Sequence, residues 1–200
     1  MVKKVSIGVI GIQGAISEHI NIMQKALKTT KTPGEAFIVK NINDLKKIDG
    51  LIIPGGESTT ISKILIKSKL HQAISKRIHE DHLPVMGTCA GCVLLASELT
   101  NDIKDDLQLL NAMDIQVKRN AFGRQRESFE KNIIIEGFSK SYNAVFIRAP
   151  IITKVWGKTK ILSKIDKKII MARQNDILAL SFHPELTDDL RIHKYFLDMI

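Results

Sequence analysis

The chain has 200 residues, of which 44% are hydrophobic and 26% charged. That apolar fraction excludes a disordered chain, and the length suffices to bury one compact core, so a single domain over residues 1–200 is expected. Two cysteines exclude a disulfide scaffold, while a net charge of +9 leaves nucleic acid or another anionic partner open without choosing between them.

In chain order, Val5–Ile12 is a nearly unbroken β-rich run, the pattern of a strand buried on both faces. Lys3-Lys4 before it gives a superficial likeness to an export signal, but the apolar run ends at Gln13-Gly14, too short for one. A cytoplasmic chain with reduced thiols is the expectation. No stretch of about 18 apolar residues occurs, so no membrane span is expected. Ile16, Ile20, Met23 and Leu27 mark a helix, Ala36–Lys40 a short strand, and Leu51-Ile52-Ile53 a third strand ending at Pro54-Gly55-Gly56. Helices are predicted near Thr59–Ser68 and Leu70–Glu80, a strand at Pro84–Thr88 and a helix over Ala90–Glu98. This alternation implies right-handed βαβ units. The second half holds short β-branched segments at Ile115–Lys118, Ile133–Ile135, Ala144–Ile147, Lys160–Leu162, Ile169–Ala172 and Leu178–Phe182, then a helix from about Asp188. Turns such as Gln174-Asn175-Asp176 suggest hairpins and a mixed sheet.

Three segments carry chemistry. Gly87-Thr88-Cys89-Ala90-Gly91 is a strand, a tight turn and a helix start with a nucleophile at the apex. The glycines remove Cβ atoms where strand and helix approach, the helix start favours a thiolate, and the Ala90 N–H can serve an oxyanion. A buried structural cysteine beside a glycine turn is the alternative. Cys89-Ala90-Gly91-Cys92 also spells a redox pair or half a metal site, but no second cysteine pair exists to complete zinc ligation. Cys92 reads more simply as a small hydrophobe inside the helix.

Ser181-Phe182-His183-Pro184-Glu185 follows an apolar strand. In extended chain His183 and Glu185 point the same way, so the carboxylate can hold the imidazole tautomer. A surface histidine before an acidic helix start is the bland reading. Pro54-Gly55-Gly56-Glu57-Ser58-Thr59-Thr60 opens a helix that Ser58 or Thr59 can cap, and its glycines let N–H groups approach a ligand. The phosphate-loop pattern is absent. All three fall at carboxyl ends of predicted strands, where open α/β sheets bind ligands. A Cys–His–Glu site with N–H donors suits acyl transfer from an amide or ester.

Together these segments resemble class I, triad-type glutamine amidotransferases. Gly8-Val9-Ile10-Gly11-Ile12-Gln13-Gly14-Ala15, Arg119-Asn120-Ala121-Phe122-Gly123-Arg124-Gln125 and Val145-Phe146-Ile147-Arg148-Ala149-Pro150 narrow the resemblance to the glutaminase-subunit family of pyridoxal 5′-phosphate synthases. It covers nearly the whole chain. It implies a three-layer α/β/α fold with a central mixed, mostly parallel sheet, and hydrolysis of L-glutamine to glutamate and ammonia. No cluster of side chains has metal-ligand spacing, so neither metal nor cofactor is expected. The resemblance further implies Cys89 as nucleophile, His183 as general base and acid, Glu185 as its orienter, and backbone N–H groups of Gly56 and Ala90 as the oxyanion hole. Gly56, Glu57, Ser58, Arg119, Ile147 and Arg148 match the family's glutamine-binding positions, and Gln13 lies in the segment near the oxyanion loop and the partner contact. The implied partner is a barrel synthase subunit in a dodecameric ring that receives the ammonia for vitamin B6 biosynthesis and switches the amidase on by docking. Cys92 departs from the family, which more often has an aliphatic residue there.

The glutaminase subunit of imidazole glycerol phosphate synthase shares the triad logic, but Gly11–Gly14 and Phe146–Pro150 argue against it. A nucleic-acid-binding module is the rival suggested by charge, yet aromatics are only 5% and no such motif occurs. His19, His71, His79, His82 and His193 fall on predicted helices or their ends, where solvated faces explain them.

Overall fold

The computed structural model describes residues 4–100, 107–121 and 128–200. The strands β1 (Val5–Ile10), β2 (Gly34–Val39), β3 (Gly50–Ile53), β4 (Val85–Thr88), β5 (Ala96–Leu99), β6 (Met113–Lys118), β9 (Ile151–Val155), β10 (Lys160–Ile165), β11 (Lys168–Gln174) and β12 (Ile177–Leu180) share one sheet. Its order is β2-β1-β3-β4-β12-β11-β9-β6-β5, with β10 paired to β11. β7 (Phe129–Ile133) and β8 (Tyr142–Phe146) form a separate two-stranded hairpin. The β2-β1-β3-β4-β12 half is parallel, whereas the β12-β11-β9-β6 stretch is antiparallel.

Side-chain alternation explains the three layers. Leu51, Ile53, Val85, Ile177 and Ala179 enter one core with Ile61 and Leu65 of α3 (Ser58–Lys67), Ile74 of α4 (Leu70–Asp81) and Val93 of α5 (Ala90–Leu95). Ile52, Met86, Leu178 and Leu180 enter the other, with Met23 and Ala26 of α1 (Ile16–Thr29), Ile192 and Phe196 of α6 (Arg191–Leu197), and the β7–β8 hairpin. A short helix α2 (Ile42–Leu45) precedes β3. No helix among the described residues is long and apolar enough to cross a membrane.

The sequence reading differs from this structure in several places. The helix expected over Ala90–Glu98 stops at Leu95, and Ala96–Leu99 becomes β5, paired in parallel with β6. The strand expected at Ile133–Ile135 sits earlier, as β7, and β9 was not foreseen. β9 carries exposed Thr153 and Lys154 and is held by pairing with β6 and β11. The last helix begins at Arg191, because Pro184–Leu186 first makes a 3-10 turn. The hairpin turn at Asn175-Asp176 is present, joining β11 to β12. Phe122–Gln125 lies outside the described residues.

Candidate active site

Topology brings the three segments together. β3, β4 and β12 are neighbouring parallel strands, so the chain leaves all three at the same edge of the sheet. The Cys89 N–H donates to the Leu180 carbonyl at 2.8 Å, tying the end of β4 to the end of β12. The His183 N–H donates to the Val145 carbonyl at 2.8 Å, which brings β8 alongside.

The elbow has the geometry that its glycines imply. Cys89 takes φ 49° and ψ −103°, a conformation that L side chains rarely adopt. A Cβ on Gly87 would lie 2.6 Å from the Gly91 carbonyl, and one on Gly91 would lie 2.1 Å from the Ile53 carbonyl oxygen. Strand and helix therefore meet at backbone contact. The first-turn N–H of Ala90 has no partner within α5, as at any helix start.

His183 Nδ1 and Glu185 Oε1 lie 2.7 Å apart, both residues being buried. The pairing predicted from an extended chain is thus reached through the 3-10 turn that follows His183. The Cys89 thiol donates to the Ile147 carbonyl oxygen at 3.7 Å, and His183 Nε2 has no hydrogen-bond partner. A Cβ on Gly55 would lie 3.4 Å from Cys89 Cβ and 2.6 Å from His183 Cε1, so the two side chains stand as neighbours against the glycine loop. Burial works against a charge on His183, but its interactions with Cys89 and Glu185 outweigh it and raise the imidazole to about 10. Burial likewise opposes charge on Glu185, yet His19 and His183 beside it hold its carboxyl below the usual value. Burial pushes the Cys92 thiol far up, which suits an inert core residue. Both cysteines are free.

A cavity of about 600 Å³ opens beside the elbow. Gln13, Gly56, Glu57, Ser58, Cys89, Ala90, Arg119, Ile147, Arg148 and His183 all line it, and Glu185 stands behind His183. Sequence reasoning missed Val93, Asn120, Ser128 and Pro150 on its wall. Gln13 Oε1 accepts the Glu57 N–H at 3.0 Å, a clamp from the first βα turn onto the glycine loop. Glu57 caps α3 instead of Ser58 or Thr59, because its longer side chain folds back to accept the N–H groups of Thr59 and Thr60. Partial burial opposes its ionisation, but these hydrogen bonds prevail and lower it to about 2. Arg119 Nη2 pairs with Glu57 Oε1 at 3.2 Å, placing its guanidinium at the cavity wall.

Two histidines assigned to solvated faces are fully buried. His19 on α1 and His193 on α6 have no exposed surface, and their rings lie 6.5 Å apart. Each sits on the inward stripe of its helix, with Ile22 and Met23 in α1 and with Ile192 and Phe196 in α6. His19 reaches the site from behind, at Glu185. Among the described residues, no group of three His, Cys, Asp or Glu side chains is arranged to hold a metal.

The chain is similar to known proteins over nearly its whole length. A model of the SNO glutamine amidotransferase family matches residues 9–200. The pyridoxal 5′-phosphate synthase subunit PdxT of Staphylothermus marinus is 48% identical over 97% of this chain and 98% of its own. That of Pyrococcus furiosus is 45% identical, covering 98% and 99%. A crystal structure of a glutamine amidotransferase, 39% identical, superposes with a TM-score of 0.85 over 96% of this chain and 97% of that one.

Proposed function

The chain belongs to the SNO glutamine amidotransferase family, and from that premise we propose that it hydrolyses L-glutamine as the glutaminase subunit of a pyridoxal 5′-phosphate synthase. The observation that carries this reading is the convergence of Cys89, His183 and the Gly55-Gly56 loop at the ends of three adjacent parallel strands, around one cavity. His183 holds the proton of Cys89 while the thiolate attacks the amide carbon. The oxyanion forms against the N–H groups of Gly56 and Ala90. His183 returns the proton to the leaving nitrogen, ammonia departs, and a γ-glutamyl thioester remains. A water deprotonated by His183 then attacks the thioester, releasing glutamate and restoring the thiol. Glu185 holds the imidazole in the tautomer that both steps require.

Gly56, Glu57, Ser58, Arg119, Ile147 and Arg148 form the glutamine-binding wall in this reading. Arg119 and Arg148 supply the positive charge that an amino-acid α-carboxylate needs. Gln13 sets the glycine loop through its bond to the Glu57 N–H. The synthase partner is read as a dodecameric barrel ring that takes the ammonia directly, and a cytoplasmic location belongs to the same picture. The test is ammonia release from glutamine, with and without the synthase subunit, for the parent and Cys89→Ala. We expect release by the parent complex and none by the variant. Full activity of Cys89→Ala would refute the nucleophile.

A further inference from the structure

The polar group nearest the outer face of Glu185 is not in the cavity at all. Glu185 Oε1 is engaged by His183 Nδ1, while Oε2 is buried without a hydrogen bond and lies 3.4 Å from His19 Nε2. The same His19 nitrogen lies 3.2 Å from Thr88 Oγ1, the residue immediately before Cys89. His19 therefore bridges the strand that carries the nucleophile and the carboxylate that orients the base.

The tautomer follows from the neighbours. Burial lowers the basicity of His19, which favours the neutral ring, although Glu185 and Glu18 pull the other way. A carboxylate oxygen only accepts, so Nε2 facing Glu185 must carry the hydrogen. His19 Nδ1 is then the bare nitrogen, and it has no partner. The Nε2–H bonds Thr88 Oγ1, and Glu185 Oε2, 3.4 Å away, faces the same edge of the ring. Around His19 the charged or titratable groups are Glu185 and His183 in the turn, Glu18 on its own helix and His193 on α6.

We propose that His19 is a positioning residue, whose Nε2–H fixes the outer oxygen of Glu185 and through it the plane of the His183 imidazole. This rests on the reading of Cys89, His183 and Glu185 as the hydrolytic triad. His19 lines no part of the cavity, so it acts on the chemical step and not on glutamine binding.

The experiment is steady-state ammonia release by the complex with its synthase subunit, with kcat expressed per alkylatable Cys89 thiol, for His19→Phe, His19→Gln and His19→Asn. Normalising to titrated thiol removes any loss due to misfolding. His19→Phe lowers kcat by roughly 10-fold, the rate equivalent of one lost polar contact beside a charged group, with KM nearly unchanged. Glutamine places an N–H where Nε2 stands and restores most of the rate, whereas asparagine places it at the Nδ1 position and does not. A His19→Phe kcat equal to the parent's, or equal rates for the Gln and Asn variants, would overturn the proposal. If His19→Phe yields no folded protein, the Gln–Asn comparison decides alone. Cys89→Ala runs alongside: ammonia release by that variant would sink the triad reading itself, whereas its silence with unaffected His19 variants would sink only the role of His19.

Discussion

Gly91→Ala tests whether the elbow depends on backbone contact. Gly91 lies in the first turn of α5 at a φ that any residue tolerates, so the substitution adds one methyl group and no torsional strain. That methyl would sit 2.1 Å from the Ile53 carbonyl oxygen and 3.0 Å from its carbon, neither of which belongs to a flexible side chain. Contact must open by more than 1 Å to reach an ordinary separation. Overpacking of this kind costs about 3 kcal/mol at the upper end, and the better helix propensity of alanine returns about 1 kcal/mol. The net loss of about 2 kcal/mol corresponds to a fall in Tm of roughly 4–8 °C for a domain of this size. Ile53 immediately precedes the Pro54-Gly55-Gly56 loop, so the same wedge displaces the expected oxyanion donors from Cys89. A misplacement near 1 Å can lower kcat by about 100-fold. Gly137→Ala is the control. It has open space around its would-be Cβ but φ +86°, so it tests torsion alone. It should cost about 1–2 kcal/mol and leave ammonia release unchanged. Differential scanning calorimetry and steady-state ammonia release read both variants. A Gly91→Ala protein as stable and as active as the parent would refute the close-contact argument.

Two further predictions follow from the electrostatics. His183 is raised to about 10 in the folded chain, so folding retains a proton that the unfolded chain releases above about 6.5. Its contribution to stability is full below about 6.5 and is lost as pH rises toward 10. The urea midpoint should therefore decline across that window, and Cys89→Ala or Glu185→Gln should flatten the decline; an equally steep slope in both variants would count against the coupling. Glu57→Ala removes the side chain that caps α3 through Thr59 and Thr60, and should cost about 1 kcal/mol in a denaturant titration, whereas Glu57→Asp, which keeps a capping carboxylate, should cost less.

The catalytic half of the fold was legible because burial on both faces writes itself into the chain. β1, β3, β4 and β12 are central strands whose residues are almost all apolar, and they stand out as short continuous runs. The motifs at their ends were legible too, since a glycine-flanked cysteine and a His-Pro-Glu each have a local steric or electrostatic reason. Periphery was harder. Ala96-Ser97-Glu98-Leu99 continues the apolar spacing of α5, and only pairing with β6, a segment distant in the chain, turns it into an edge strand. β9 likewise owes its existence to partners on both sides. Propensity carries no information about either partner.

His19 and His193 show a different kind of error. Residue type suggested solvent, but position on the helix decides burial. His19 lies three and four residues before Ile22 and Met23, and His193 three before Phe196, so each falls within the inward stripe. The stripe drawn through Ile16 and Ile20 was slightly rotated, since both of these are only half-buried. A histidine inside such a stripe loses its hydration, and only a nearby acceptor or donor returns part of that loss. His193 has no partner on either nitrogen, and burial lowers it to about 3. His19 has Thr88 and Glu185 within reach of one nitrogen. The same placement is therefore a packing cost at one position and a polar contact with the site at the other. Periodicity alone would have located both side chains; the geometry around Glu185 is what separates them.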